Sequence, residues 1–136
     1  MKLLELRDFI AAHTDGWHVT IDEAEMMNVD MDALGENCGA IYVEEFVNGR
    51  TTYGMGASTV TKYEITFVVF SDIEPSAVSR QECREERIEP VARELMKAIN
   101  AEYNVKTFAF DTFPKGFDAA EVTFNITFEL EERTAC

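Results

Sequence analysis

Along residues 121 to 132, EVTFNITFELEE, apolar side chains take every second position: Val122, Phe124, Ile126, Phe128 and Leu130 alternate with Thr123, Asn125, Thr127 and Glu129. A period of two is that of a strand buried on one face. The run STVTKYEITFVVF, residues 58 to 70, repeats the pattern, with Tyr63, Ile65, Phe67 and Val69 on one side and Lys62, Glu64 and Thr66 on the other. Its far end adds Val68 and Phe70, so both faces are apolar there, which predicts deeper burial.

Helical spacing marks two other stretches. Leu3, Leu6, Phe9, Ile10 and His13 recur at three- and four-residue intervals before Gly16, predicting a short amphipathic helix over residues 2 to 14. Ile88, Val91, Ala92, Leu95, Ile99 and Tyr103 form a longer stripe, with Ser79 and Glu82 as a candidate capping box. Pro90 either kinks this helix or opens a second one, because it cannot donate to the carbonyl of Glu86.

The remaining signals are shorter. WHVTID (residues 17–22) and NVKTFAFD (104–111) suit brief strands, TFPKGFDA (112–119) a turn-rich connection, and residues 133–136 a loose tail. GAIYVEEFVNGRTTYGMG, from residue 39, has two β-rich arms around Asn48-Gly49, a dipeptide suited to a type I′ turn, and so predicts a hairpin with its tip there. Gly54 and Gly56 then suggest a bulge or a bend before the next strand. The order of elements describes an α+β domain, 1–136, with a mainly antiparallel sheet of about four to five strands and its helices packed on one face. The other face, polar in both long strands, is expected to be uncovered.

Composition narrows the functional classes. Twenty-six acidic against twelve basic residues give a formal charge of −14, which opposes sequence-specific nucleic-acid binding and anionic membranes. Residues 22–36 hold six of the acids and no base. Three cysteines, Cys38, Cys83 and Cys136, have neither C-x-x-C nor zinc spacing and read as reduced thiols in a cytoplasmic protein. The N-terminal stretch mixes Glu5, Arg7 and Asp8 into its apolar residues, unlike a signal peptide, and no run approaches a membrane span.

Chemical motifs are sparse. HTDGWH puts His13 and His18 near Asp15, Asp22 and Glu23, the only candidate centre for acid/base or metal chemistry, but at no recognised ligand spacing. Residues 30–41 begin like a calcium loop and fail at Leu34 and Ile41, where oxygen ligands are required. Cys83 has Arg80, Arg84 and Arg87 nearby but equally abundant acids, and reads as a structural thiol. With no nucleophile elbow, P-loop or dinucleotide fingerprint, the expectation is a non-enzymatic binding or assembly protein with no cofactor and no metal.

The layout of an N-terminal helix, glycine-rich hairpin, TKYEITFVVFSD strand, RIEPVARELMKAINAEY helix and closing EVTFNITFEL strand resembles the tail terminator and tail-completion proteins of long-tailed bacteriophages. That resemblance implies a ring-forming subunit, commonly six to a ring, that caps the tail tube and joins it to head-completion proteins. It would be found in the cytoplasm during assembly and then in the virion tail. The contacts it implies fall on the hairpin and the polar sheet face: Asn48, Gly49, Arg50, Glu64, Thr66, Thr123, Asn125 and Thr127. Rival readings are a small dimeric ligand-binding or regulatory domain and an acidic, immunity-type decoy for a basic partner. The acidic segment 22–36 has no role in the resemblance.

Overall fold

A computed structural model describes residues 2–22, 39–72, 77–112 and 121–134. Helix α1 (Leu3–Ala12) leads into the short strand β1 (His18–Thr20). Strands β2 (Ala40–Val43), β3 (Asn48–Tyr53) and β4 (Thr59–Asp72) follow, then the helical run α2 (Ala77–Cys83), a π turn (Arg84–Ile88) and α3 (Glu89–Tyr103). Strands β5 (Phe108–Asp111) and β6 (Glu121–Thr134) complete the sheet. The class is α+β, as the sequence pattern predicts, with six strands among the described residues rather than four or five. Five form the order β1-β2-β4-β6-β5 and β3 pairs β4 alongside β2. Four pairings are antiparallel; only β1 and β2 run parallel.

The spine is the β4–β6 ladder, which pairs Thr59 with Thr134 at one end and Asp72 with Glu121 at the other. Alternation puts Ile65, Phe67 and Val69 beside Phe128, Ile126 and Phe124 on one face, where they meet Leu6 and Ile10 of α1 and Ile88, Ala92, Leu95 and Ile99 of the long helical run. Val91 and Tyr103 pack at the margin, so the whole predicted stripe faces this core. Cys83 is buried in the same cluster, as its reading as a structural thiol requires.

Pro90 stands in the first turn of α3, in line with the reading that it opens a second helix, and a π turn joins that helix to α2. The π turn widens the ladder just before it, with the Glu89 N–H donating to the Arg84 carbonyl five residues back. An extra residue in one turn accommodates a proline that has no N–H and would press on the carbonyl four residues earlier. Ser79 lies within α2, not at its cap, so the capping-box reading fails.

The hairpin is real but its tip is misplaced by the sequence reading. Asn48 and Gly49 sit inside β3, opposite Glu64 and Tyr63, and the chain reverses instead between Tyr53 and Thr59, which pair with each other. Gly56, at φ +73°, supplies the left-handed residue of that turn, and the Gly54 N–H donates to the Ser58 carbonyl at 2.8 Å. Gly49 serves close approach, not reversal: a Cβ there would stand 3.1 Å from the Lys62 carbonyl and 3.3 Å from the Tyr63 ring. Strand β6 extends to Thr134, so Arg133 and Thr134 are paired with β4 and are not a loose tail. The acidic stretch from residue 23, the failed calcium loop before residue 39, most of the 112–119 connection, Cys38 and Cys136 lie outside the described residues.

Candidate functional site

The polar side of the long strands divides in two. Toward residue 72 of β4 it is buried: Val68 and Phe70 are 1% exposed, and their cross-strand partners Asn125 and Thr123 are 1% and 0% exposed. Burial of their donor groups is tolerable because each donor is bonded. The Thr123 hydroxyl donates to the Thr112 carbonyl at 3.2 Å, and the Asn125 amide donates to the Asp111 carboxylate at 2.6 Å. This overturns the expectation that the side bearing Thr123 and Asn125 is uncovered. The two residues tie β6 to the end of β5 and are not available to a partner. Thr66 and Thr127, hydroxyl to hydroxyl at 3.0 Å, mark the border of this region.

Beyond that border few side chains of β4 and β6 are buried, and β3 lies along β4. All six residues of β3 are exposed. Register sets three rows across the strands on the polar side: Asn48–Glu64–Glu129, Arg50–Lys62–Glu131 and Thr52–Val60–Arg133. Two rows juxtapose like charges, Glu64 with Glu129 and Arg50 with Lys62, an arrangement that disfavours the isolated strand pair. The Arg133 guanidinium meets Glu131 within its own strand. On the reverse side Thr51 and Thr61 bond hydroxyl to hydroxyl at 2.9 Å, and Tyr63 lies over Gly49.

A two-residue excess sets β3 off from β2. Residues 44–47 stand opposite only residues 65 and 66, because β2 ends on the Val43–Phe67 pair and β3 begins on Asn48–Glu64. The Glu44 N–H still donates to the Thr66 carbonyl at 3.0 Å, so the surplus is expelled as a bulge. Val47 turns back to the core while Phe46 is 85% exposed. Tyr53 and Met55, at the end of the arm, are also exposed.

A groove of about 820 Å³ is lined by Lys62 and Glu64 of β4, by Glu129, Glu131 and Arg133 of β6, and by Tyr103, Asn104 and Lys106. Asn104 shapes it: in the left-handed conformation at φ 56° it ends α3 and returns its N–H to the Asn100 carbonyl. The Asn100 amide then holds the Val105 carbonyl at 2.7 Å. Burial, followed by the charges of Glu102 and Glu5, pushes the Tyr103 phenol above its ordinary pKa of 10.0.

Of the contacts expected from sequence, Asn48, Arg50, Glu64, Thr66 and Thr127 thus share one face of the arm and its border. Gly49 falls on the opposite face of β3, and Thr123 and Asn125 are interior. Sequence reading placed Lys62 and Glu129 on the polar side without naming them as contacts, and it missed Glu131 and Arg133, which continuing the alternation past Glu129 would have found. It missed Phe46 as well, whose exposure follows from a bulge that has no turn signature.

The histidine candidate has ordinary local geometry. The His13 ring lies 4.4 Å from that of Phe9, and its Nδ1–H donates to the Phe9 carbonyl at 2.9 Å. His18 opens β1, where its backbone N–H donates to the Gly39 carbonyl. Among the described residues no group of three or more His, Cys, Asp or Glu side chains converges in a way that could hold a metal ion. No described helix is long and apolar enough to cross a membrane. Comparison with protein-family models gives no match to the chain. Comparison with curated protein sequences gives none either.

Proposed function

We propose that this chain is a structural assembly subunit of a phage or prophage tail, copies of which form a ring that caps the tail tube and joins it to the head. The observation that carries the assembly part of this reading is the β3–β4–β6 arm. Its outer strand buries no residue, its face sets like charges side by side, and Phe46, Tyr53 and Met55 stand exposed along or beside it. Such an arm costs ordering entropy and returns little burial within one copy, and an open strand edge is a template for pairing with another chain. A contact between copies supplies the missing burial.

The tail assignment is supported by the order of elements and by charge. A formal charge of −14 per copy would keep a ring from adhering to DNA passing through it. The test is to add the purified protein to growing tail tubes and image them by electron microscopy. The reading expects rings at tube ends and arrested growth. A protein that stays monomeric and leaves the tubes growing contradicts it.

A further inference from the structure

We infer that copies of this chain join head to tail, with the outer edge of β3 in one copy pairing along residues 129–134 of β6 in the next. The inference rests on the assembly part of the function proposed above and not on its tail part. Among the described strands, β3 has a neighbour only in β4. On the other flank of the arm, β5 ends at the Phe108–Phe128 pair, so no described strand lies on that side of β6 from Glu129 to Thr134. Two edges of six residues each therefore bound the same three-stranded arm.

The two edges differ in charge. Strand β3, NGRTTY, carries Arg50 and no acid, whereas residues 129–134, ELEERT, carry Glu129, Glu131, Glu132 and Arg133. Arg50 projects on the same face as Glu129 and Glu131. An incoming β3 that continues the sheet brings its guanidinium down beside those carboxylates, whereas a β6–β6 contact would set acid against acid.

Direction follows from the topology. Within one copy β3 and β6 are both antiparallel to β4, hence parallel to each other. Rotation about an axis along the strands preserves their sense, so β3 of one copy would lie parallel to β6 of its neighbour. Two different edges meeting in this way make a heterologous contact, which closes into a ring if the rotation divides a full turn.

Charge reversal on each edge tests this, because Arg50 and Glu129 are exposed and neither they nor Glu131 belong to the core. The variants are Arg50→Glu and the double change Glu129→Arg/Glu131→Arg, followed by sedimentation for assembly mass and circular dichroism for the fold. Each variant alone should keep its fold and associate at least about tenfold more weakly than the unchanged protein. An equimolar mixture of the two should recover assembly, since every contact in an alternating ring is then complementary. Assembly by either variant at the unchanged strength overturns the inference, as does a mixture without recovery or an unchanged protein that never associates, alone or on tubes. Rings that depend on these charges yet never cap tubes would remove the tail reading and leave the edge pairing standing. Capped tubes with unaffected variants would do the reverse.

Discussion

The β4–β6 ladder is continuous in hydrogen bonding yet joins two regions with opposite economies. From Ile65 to Ser71, and from Val122 to Phe128 across from it, nearly every side chain on both faces is buried, polar ones included. From Thr59 to Glu64, and from Glu129 to Thr134, only Leu130 is buried, with Tyr63 packed at the core margin. The first half is held by packing, the second mainly by its ladder, with Leu130 and Tyr63 as its links to the core. Backbone pairing thus extends the sheet beyond most of the core, and the extension is where the proposed contact between copies would supply what one copy lacks.

The sharpest way to separate the halves is by substitution, read as stability from chemical denaturation. Phe67→Ala, in a ring pair with Phe128 at 6.2 Å, should cost roughly 3–5 kcal/mol by opening a cavity in the packed half. Thr123→Lys should cost roughly 3 kcal/mol or more by forcing an ammonium into a fully buried position. Thr127→Lys, only four residues along the same face, should lose about 1 kcal/mol with its bond to Thr66. Equal losses at the two positions would erase the boundary drawn between the halves.

Smaller effects probe the junctions. Asn125→Ala should cost about 1–3 kcal/mol, because it removes a buried amide and its bond to the Asp111 carboxylate, a charged acceptor. At the groove the effect is one of pH. The fold favours the neutral Tyr103 phenol, so that contribution is whole below the ordinary value of 10.0 and declines as pH rises through the raised one. Tyr103→Phe should flatten this alkaline decline, and an unchanged slope would count against it.

Much of the packed half was legible in the sequence, because burial leaves a period. The helical stripe from Ile88 to Tyr103 and the apolar sides of β4 and β6 all meet the core as spacing predicts. Even the double-sided burial at Val68 and Phe70 was visible. The consequence for β6 was not: strand register decides that Asn125 and Thr123 lie opposite those two residues, and a polar side chain that is buried and bonded looks in sequence like one that is merely wet. Asn48-Gly49 misled for a related reason. The pair is compatible with a turn, but Gly49 is needed where Tyr63 and the Lys62 carbonyl come close, and the chain turns at Gly56. The arm surface was half legible, since the alternation that placed Lys62, Glu64, Thr127 and Glu129 on the polar side continues to Glu131 and Arg133. The bulge that exposes Phe46 depends on a pairing offset that no local residue announces.

Hydrogen exchange measured before and after copies associate tests the account most directly, because it reads both halves of the ladder at once. Amides of residues 65–70 and 122–128 should be protected in the isolated chain and little changed by association. Those of 48–53 and 129–134 should gain protection when copies join. Overhang amides that exchange equally fast in the isolated and assembled protein would contradict the claim that this arm is where copies meet.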